Sequence, residues 1–320
     1  MIIALIARMG SSRIPGKPLI DLGDGSSIKR IFESAKESRL ENDLVVLTSD
    51  SINDDPICIY CEKNDINFYR GHQQYVLKRM IGVAQEMPKE KHMIYVGSDS
   101  PLVDIKMLND IINSNLSKMA EGIDLMTCYF PNTFPGGFEI NIVSTSWLKS
   151  IDIDRFHPSE LEHCFNKLLL SYNRKNILNL YSELDMSWLN FSMDTKEDLY
   201  YIKRIIQFGA QNNLQSILST IIKDDELIDL TRKRIKESTK NAFIGSLGMH
   251  SSIKSKLENH LSTGFDLLKD EKFNAGAKIL NETACIINSF INNNDIKQIK
   301  IPADNKLHTK VSLLRSLVDL

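Results

Sequence analysis

No apolar stretch in the 320 residues approaches the ~20 that a membrane-spanning helix needs, so a helical membrane span is not expected. The opening residues lack the charged start and cleavage site of a secretory leader, and a cytoplasmic location is expected. Charge of neither sign dominates: 39 Lys and Arg stand against 41 Asp and Glu, a net of −2. No general basic field exists to draw nucleic acid or an anionic membrane, and any positive site has to be local. Five cysteines, an odd number in a long chain, argue against a disulfide framework and for a reducing compartment. Cys58 and Cys61 form a Cys-x-x-Cys with no second pair at ligand spacing. On a helix such positions share a face, and the two are expected to be small core residues rather than half of a zinc site. Both common nucleotide fingerprints are missing too, Gly-x-Gly-x-x-Gly and the Gly-Lys-Ser/Thr ending of a P-loop.

What is present is concentrated at the start. Ile2-Ile3-Ala4-Leu5-Ile6 is an apolar run of strand length that opens into Ala7-Arg8-Met9-Gly10-Ser11-Ser12-Arg13-Ile14-Pro15-Gly16-Lys17. Gly10 and Gly16 let the backbone turn tightly and approach an anion, Ser11 and Ser12 add small donors, and Arg8, Arg13 and Lys17 set three cations around one loop. A surface turn with solvated charges is the plain alternative. Three interleaved cations at a strand end are costly to assemble without an anion, and a triphosphate fits them.

Strand-like runs at 2–6, 43–48, 66–69, 92–96 and 123–130 alternate with amphipathic segments. Ser27 can cap a helix carrying Ile28, Ile31, Phe32 and Ala35, and 54–64, 74–87 and 104–114 read similarly. The alternation predicts a mostly parallel, three-layer α/β sheet with ligands at the strands' carboxyl ends, where the Arg8–Lys17 loop and Asp99 should converge. Residues 133–143 alternate like a half-exposed strand after a Gly-Gly turn, with Glu139 and Asn141 on the face opposite Phe138 and Ile140. Beyond about residue 206 glycine becomes scarce, and 212–240, 252–270 and 273–293 carry apolar residues at helical intervals, with 242–250 as a connection. The length suits about two domains, expected at 1–206 and, as a small all-α unit, at 207–320.

The opening loop closely resembles that of the cytidylyltransferases that activate sugar acids as CMP conjugates, including CMP-sialic acid and CMP-3-deoxy-octulosonate synthetases. It is nearest to the spore-coat polysaccharide branch, from whose Ala-Arg-Met-Gly-Ser-Ser-Arg-Leu-Pro-Gly-Lys it differs at Ile14. Further landmarks follow in that family's order: Thr48-Ser49-Asp50 with Asp54-Asp55-Pro56, Tyr69-Arg70-Gly71 with Val76-Leu77-Lys78-Arg79, and Ser98-Asp99-Ser100-Pro101-Leu102-Val103-Asp104. Thr133-Phe134-Pro135-Gly136-Gly137-Phe138-Glu139, Glu160-Leu161-Glu162-His163 and Met193-Asp194-Thr195-Lys196-Glu197-Asp198-Leu199 complete the set, and the resemblance covers residues 1 to about 206. Tyr95 where an arginine often stands, Tyr75, Lys78 and Leu161 depart from the pattern and bear on the acceptor more than on the nucleotide.

The resemblance implies a Rossmann-like nucleotidyltransferase sheet (GT-A-like), CTP as co-substrate, Mg²⁺, an acidic small-molecule acceptor and a homodimer. Ala7 and the loop residues would bind the nucleotide, with Arg8, Arg13 and Lys17 on the leaving pyrophosphate and Asp99 and Asp194 on the metal. Thr48 and Asp50 would lie near the nucleoside, and Arg70, Arg79, Glu139, Asn141 and His163 near the acceptor. Plain structural alternatives stand beside these roles: Asp99 as a turn cap, Asp194 as the cap of a helix beginning at Thr195, Asp50 as a turn former, Glu139 as a solvated strand residue, His163 as a hydrogen-bonded structural histidine. The same chemistry on a phosphonate or sugar phosphate, or with another NTP, is the alternative enzyme. A nucleotide-binding scaffold is the alternative from another class. A glycosyltransferase of related topology would be expected to show Asp-x-Asp, which Ser98-Asp99-Ser100 is not.

Overall fold

The computed structural model describes residues 1–87, 92–119, 122–129, 132–156, 161–162, 164–165, 176–238 and 297–318. Eight strands among them form one sheet: β1 (Ile2–Ile6), β2 (Leu44–Ser49), β3 (Asn67–Gly71), β4 (His92–Gly97), β5 (Leu125–Thr127), β6 (Asn141–Ser144), β7 (Ile177–Ser182) and β8 (Lys297–Ile301). Their spatial order is β3-β2-β1-β4-β6-β5-β7-β8, parallel except where β6 runs against β4 and β5. The helices are α1 (Ser27–Glu37), α2 (Asp55–Lys63), α3 (Val76–Glu86), α4 (Ile105–Met119), α5 (Thr145–Ser150), α6 (Lys196–Gln207), α7 (Leu214–Ile222), α8 (Asp225–Ser238) and α9 (Asn305–Leu317).

The two-residue period of the strands sorts their side chains into two layers. Ile3 and Leu5 of β1, Leu44 and Val46 of β2 and Ile94 and Val96 of β4 pack with residues of α1, α2 and α4, while Ala4, Leu47, Met93 and Val143 pack with residues of α3 and α5. A third cluster is built by α6–α9 and takes in Ile14, Leu102, Phe138 and Met193 from loops at one end of the sheet. Arg30 of α1 and Asn212, ahead of α7, reinforce that junction, both bonding the Pro101 carbonyl at 3.3 and 3.0 Å.

The expected strands at 2–6, 43–48, 66–69 and 92–96 form within two residues of those bounds, and 123–130 shortens to β5. Segment 133–143 differs. Its first part turns, with the Phe138 N–H on the Pro135 carbonyl at 3.0 Å, and the strand begins only at Asn141. All four residues of β6 are buried, because the strand lies between β4 and β5 and is covered on both faces, so its polar residues do not mark a wet side. The cap of α1 moves one residue: Ser26 accepts from the Lys29 N–H at 3.2 Å, and the Ser27 hydroxyl donates to the Ser98 carbonyl at 2.6 Å.

The helical reading of the tail holds for α7, α8 and α9 and fails at β8. Lys297-Gln298-Ile299-Lys300-Ile301 alternates as an edge strand does, with Ile299 and Ile301 packed inward and Lys300 paired to Glu183 at 2.7 Å. Residues 242–250, 252–270 and 273–293 lie outside the described residues. Cys58 and Cys61 are buried free thiols of α2, and burial pushes Cys61 up to about 12. Among the described residues no helix is long and apolar enough to cross a membrane.

Leu314 of α9 is fully buried in the cluster that also holds Ile14 and Leu102. Leu314→Ala is therefore expected to cost about 2–4 kcal/mol in one urea transition followed by circular dichroism, with loop and tail unfolding together. A separate transition for the helical part would show instead that the tail folds alone.

Candidate active site

β1 and β4 are neighbours in register, Ile6 opposite Gly97, so the loops leaving their carboxyl ends start side by side. The Ser98 N–H donates to the Ile6 carbonyl at 3.0 Å and extends the pairing into the loop. The phosphate-type loop then closes on itself: the Ser11 and Gly16 N–H groups both donate to the Met9 carbonyl, at 2.9 and 3.0 Å. Gly16 sits at φ 71°, the left-handed region that suits glycine. Gly10 has no such constraint; a Cβ there would meet nothing within 4 Å, so this position supplies open room rather than a special turn.

Buried Asp54 fixes the loop from below. It accepts the Met9 N–H at 2.7 Å with one oxygen and the Ser49 hydroxyl with the other. In the sequence Asp54 has no signature of this role, because an acid before Asp-Pro looks like an ordinary helix start.

Lys17 is the hub. Its ammonium, mostly buried, donates to Asp99 Oδ2 at 3.4 Å and to Asp194 Oδ1 at 3.2 Å, and exposed Arg13 reaches the same Asp194 oxygen at 3.2 Å. Asp194 arrives on a strap, Asn190–Asp194, sewn to two other loops: Met193 N–H to the Asp99 carbonyl at 2.7 Å, and Phe191 N–H to the Gly136 carbonyl at 2.7 Å. Gly137 at φ 86° lets that second loop approach, since a side chain there would meet the Phe191 backbone at 3.0 Å.

Asp194 does not cap α6. Thr195 does, accepting from the Asp198 N–H at 3.1 Å while Asp198 Oδ2 accepts from Thr195 N–H at 2.7 Å, which leaves the Asp194 carboxylate free for the crevice. Burial pushes the Asp198 carboxyl up, and the charge and hydrogen bond of Arg234 with two backbone N–H groups outweigh it, leaving the group below its ordinary value.

Glu139 belongs to the same place. Burial above all, then the charges of Asp99 and Asp194, raise its carboxyl to about 7 against the hydrogen bond from Gly137 N–H at 2.8 Å. A carboxyl poised there can give or take a proton at neutral pH. Arg8 pairs with Glu162, a second residue whose role the sequence alone does not mark.

Arg79 of α3 is fully buried, and Nε, Nη1 and Nη2 all lack a hydrogen-bond partner among the described residues. Burial and then the Arg8 charge push it below its ordinary value, with Tyr95, Asp54 and Glu162 acting in the other direction. An uncompensated buried charge of this kind costs several kcal/mol and seeks an anion.

Other expected residues fall elsewhere. Arg70 spends its guanidinium on the Ser49 and Ser51 carbonyls at 3.1 and 2.8 Å and on Asp55 at 2.7 Å, so it ties the end of β3 to the β2–α2 turn instead of facing an acceptor. Asn141, expected on an open face, is buried and bonded to its cross-strand neighbour Thr127 at 3.1 Å and to Tyr129, two residues further along, at 3.2 Å. Thr48 is buried, its hydroxyl without a partner among the described residues, and Asp50 is exposed beyond it, its N–H on the Gly71 carbonyl at 2.8 Å. Ala7 is buried at the strand end, Ser12 is exposed on the loop, and His163 lies outside the described residues.

The donor set suits a hard divalent cation. Two carboxylates already share one cationic partner, and Mg²⁺ takes a carboxylate or two plus phosphate oxygens and water. Among the described residues no group of three or more His, Cys, Asp and Glu is gathered at ligand spacing.

Residues 2–221 match the family model for cytidylyltransferases. The spore coat polysaccharide biosynthesis protein SpsF of Bacillus subtilis is 29% identical over 214 residues, 64% of this chain and 85% of that protein. A 3-deoxy-manno-octulosonate cytidylyltransferase of Polynucleobacter necessarius is 31% identical over 116 residues, 34% of this chain and 43% of that protein. Among solved structures, a cytidylyltransferase from Leptospira borgpetersenii superposes with a TM-score of 0.63 at 26% identity, covering 73% of this chain and 95% of that one.

Glu139 sets a pH dependence whose sign follows from its raised value. With the folded carboxyl near 7 and an unfolded one near ~4.3, the folded state keeps a proton across that interval. The stabilisation is complete below the unfolded value and is lost as pH rises through the folded one. In metal-free buffer the unfolding free energy of the wild type, relative to Glu139→Gln, should fall by on the order of 2 kcal/mol between about pH 5 and 8. Parallel stability profiles for the two proteins would refute it.

Proposed function

The chain belongs to the cytidylyltransferase family, and from that premise we propose that it transfers CMP from CTP to an acidic sugar of the 2-keto-3-deoxy or nonulosonic acid type, releasing pyrophosphate, in surface polysaccharide or glycan biosynthesis. The observation that carries this reading is the Lys17 ammonium reaching Asp99 and Asp194 together at the mouth of the loop.

An acceptor oxygen attacks the α-phosphorus of CTP in line as the bond to the β-phosphate oxygen breaks. Side chains contribute position and charge more than covalent chemistry. Arg8, Arg13 and Lys17 turn to the β- and γ-phosphates and stabilise the departing pyrophosphate, while the loop N–H groups and Ser11 and Ser12 hold the chain of phosphates. Asp99 and Asp194 would hold Mg²⁺, which when bound neutralises charge on the phosphate oxygens. Thr48 and Asp50 serve the nucleoside side.

Arg79 supports an anionic acceptor. A buried guanidinium lacking a partner is compensated by a carboxylate, and Glu139 and His163 complete the acceptor side. A second reading keeps the chemistry with a phosphonate or sugar phosphate, or with another NTP; Tyr95, edge-on to Phe165 at 4.9 Å where the resemblance leads one to expect an arginine, favours it. Free thiols at Cys58, Cys61, Cys128 and Cys164 support cytoplasmic work, and the homodimer is testable by sedimentation.

Calorimetry with Mg²⁺ is expected to show CTP bound in preference to ATP, GTP and UTP, and weakened about tenfold or more by Arg13→Ala and by Asp99→Ala, the scale of one charge-assisted contact. Pyrophosphate release over a panel of acceptors then tests the second half, with Arg79→Met raising the acceptor KM and leaving that for CTP in place. Absence of any NTP binding would favour the scaffold; turnover confined to sugar phosphates or phosphonates would favour the second reading.

A further inference from the structure

The family match ends at residue 221, and α8 lies beyond it. One side chain of that helix nevertheless reaches the strap carrying Asp194. Arg234 forms an ion pair with Asp198 Oδ1 through Nη1, donates from Nη2 to the Asn190 carbonyl at 2.9 Å, and lies with its guanidinium carbon 4.7 Å from the centre of the Tyr201 ring. Both ionic partners are nearly buried, with side chains 13% and 12% exposed, so the pair is shielded from solvent.

Asp198 uses its other oxygen on the strap itself, accepting the N–H of Asp194 at 2.9 Å and of Thr195 at 2.7 Å. Arg234 therefore grips the strap at both ends, at Asn190 directly and at Asp194 through one carboxylate. Between those ends the strap makes its two bonds to the neighbouring loops, at Gly136 and Asp99. A lysine could pair with Asp198, but its compact ammonium lacks the planar fork that spans both acceptors.

We propose that Arg234 is a positioning residue for Asp194, and that the region beyond the family match thereby sets the geometry of the Asp99–Asp194 cation site. This rests on the proposed metal role of those two aspartates. A helix cap needs only Thr195 and Asp198. The bond from Nη2 to Asn190 adds nothing to the cap and fixes the strap.

The test is calorimetry of CTP with and without Mg²⁺ on the full chain, comparing wild type, Arg234→Met, Arg234→Lys and Asp198→Asn, with melting curves for each. Residues that orient metal ligands from behind typically contribute about 10- to 100-fold in metal affinity. Arg234→Met is expected to remove about tenfold or more of the Mg²⁺-dependent gain in CTP affinity while leaving CTP affinity in EDTA unchanged. Arg234→Lys should recover part of the gain, and combining Arg234→Met with Asp198→Asn should cost less than the sum of the two. If Arg234→Met does not fold, the lysine variant carries the same comparison. A lowered melting temperature with an unchanged Mg²⁺ gain, in whichever variant folds, would reduce Arg234 to a structural tie and overturn the proposal. A wild type whose CTP binding ignores Mg²⁺ would overturn the metal reading first and this proposal with it.

Discussion

Lys17 donates to two carboxylates that would otherwise repel each other, and much of the surrounding architecture serves to keep those three groups within hydrogen-bonding distance. An ammonium suits the task because it is a compact charge with three donors. Asp99 and the loop come from adjacent parallel strands, so the sheet aligns them at no further cost. Asp194 comes from nearly a hundred residues further on and has to be delivered by packing. The four apolar residues Ile14, Leu102, Phe138 and Met193 lie within three residues of Arg13, Asp99, Glu139 and Asp194 respectively, and all four enter one cluster with α6–α9. Each of these four charged groups therefore has an apolar anchor driven into the same helical layer. Burying those anchors, each on the order of 1.5–3 kcal/mol, opposes the repulsion between the acids in front of them.

Local signals made the centre of this site legible in the sequence. The Arg8–Lys17 loop and Asp99 each follow an apolar strand, and parallel strands place such positions together whatever their separation in the chain. Asp54 and Glu162 carry no local signature, because what distinguishes them is a partner elsewhere: the Met9 N–H and the Arg8 guanidinium. Arg234 had still less to announce it, being one basic residue among several on an amphipathic helix. Asn141 misled for the opposite reason. Alternation marks a wet and a dry face only when one face is open, and β6 has neither. β8 was hidden by its surroundings, a short alternating run beyond a long helical-looking stretch.

The two halves of the chain are thus less separable than their compositions suggest. Glycine-rich loops and helical tail differ in residue usage, yet Asn212 binds the Pro101 and Val103 carbonyls and Arg30 donates to Ala210 and Asn212 across the same junction. Such contacts make the tail part of the wall behind the crevice rather than an attachment to it.

The pairing of β7 with β8 joins Leu178 to Lys297, a contact between residues far apart in the chain. During synthesis, β7 and the loop residues themselves emerge long before β8 and the α9 anchor behind Ile14, and without β8 the outer edge of β7 would present unpaired N–H and C=O groups along an apolar strand. Parallel pairing at such separation is also slow to form. β8, with its outward lysine, thus converts an edge that would be open to any other extended segment into a finished one.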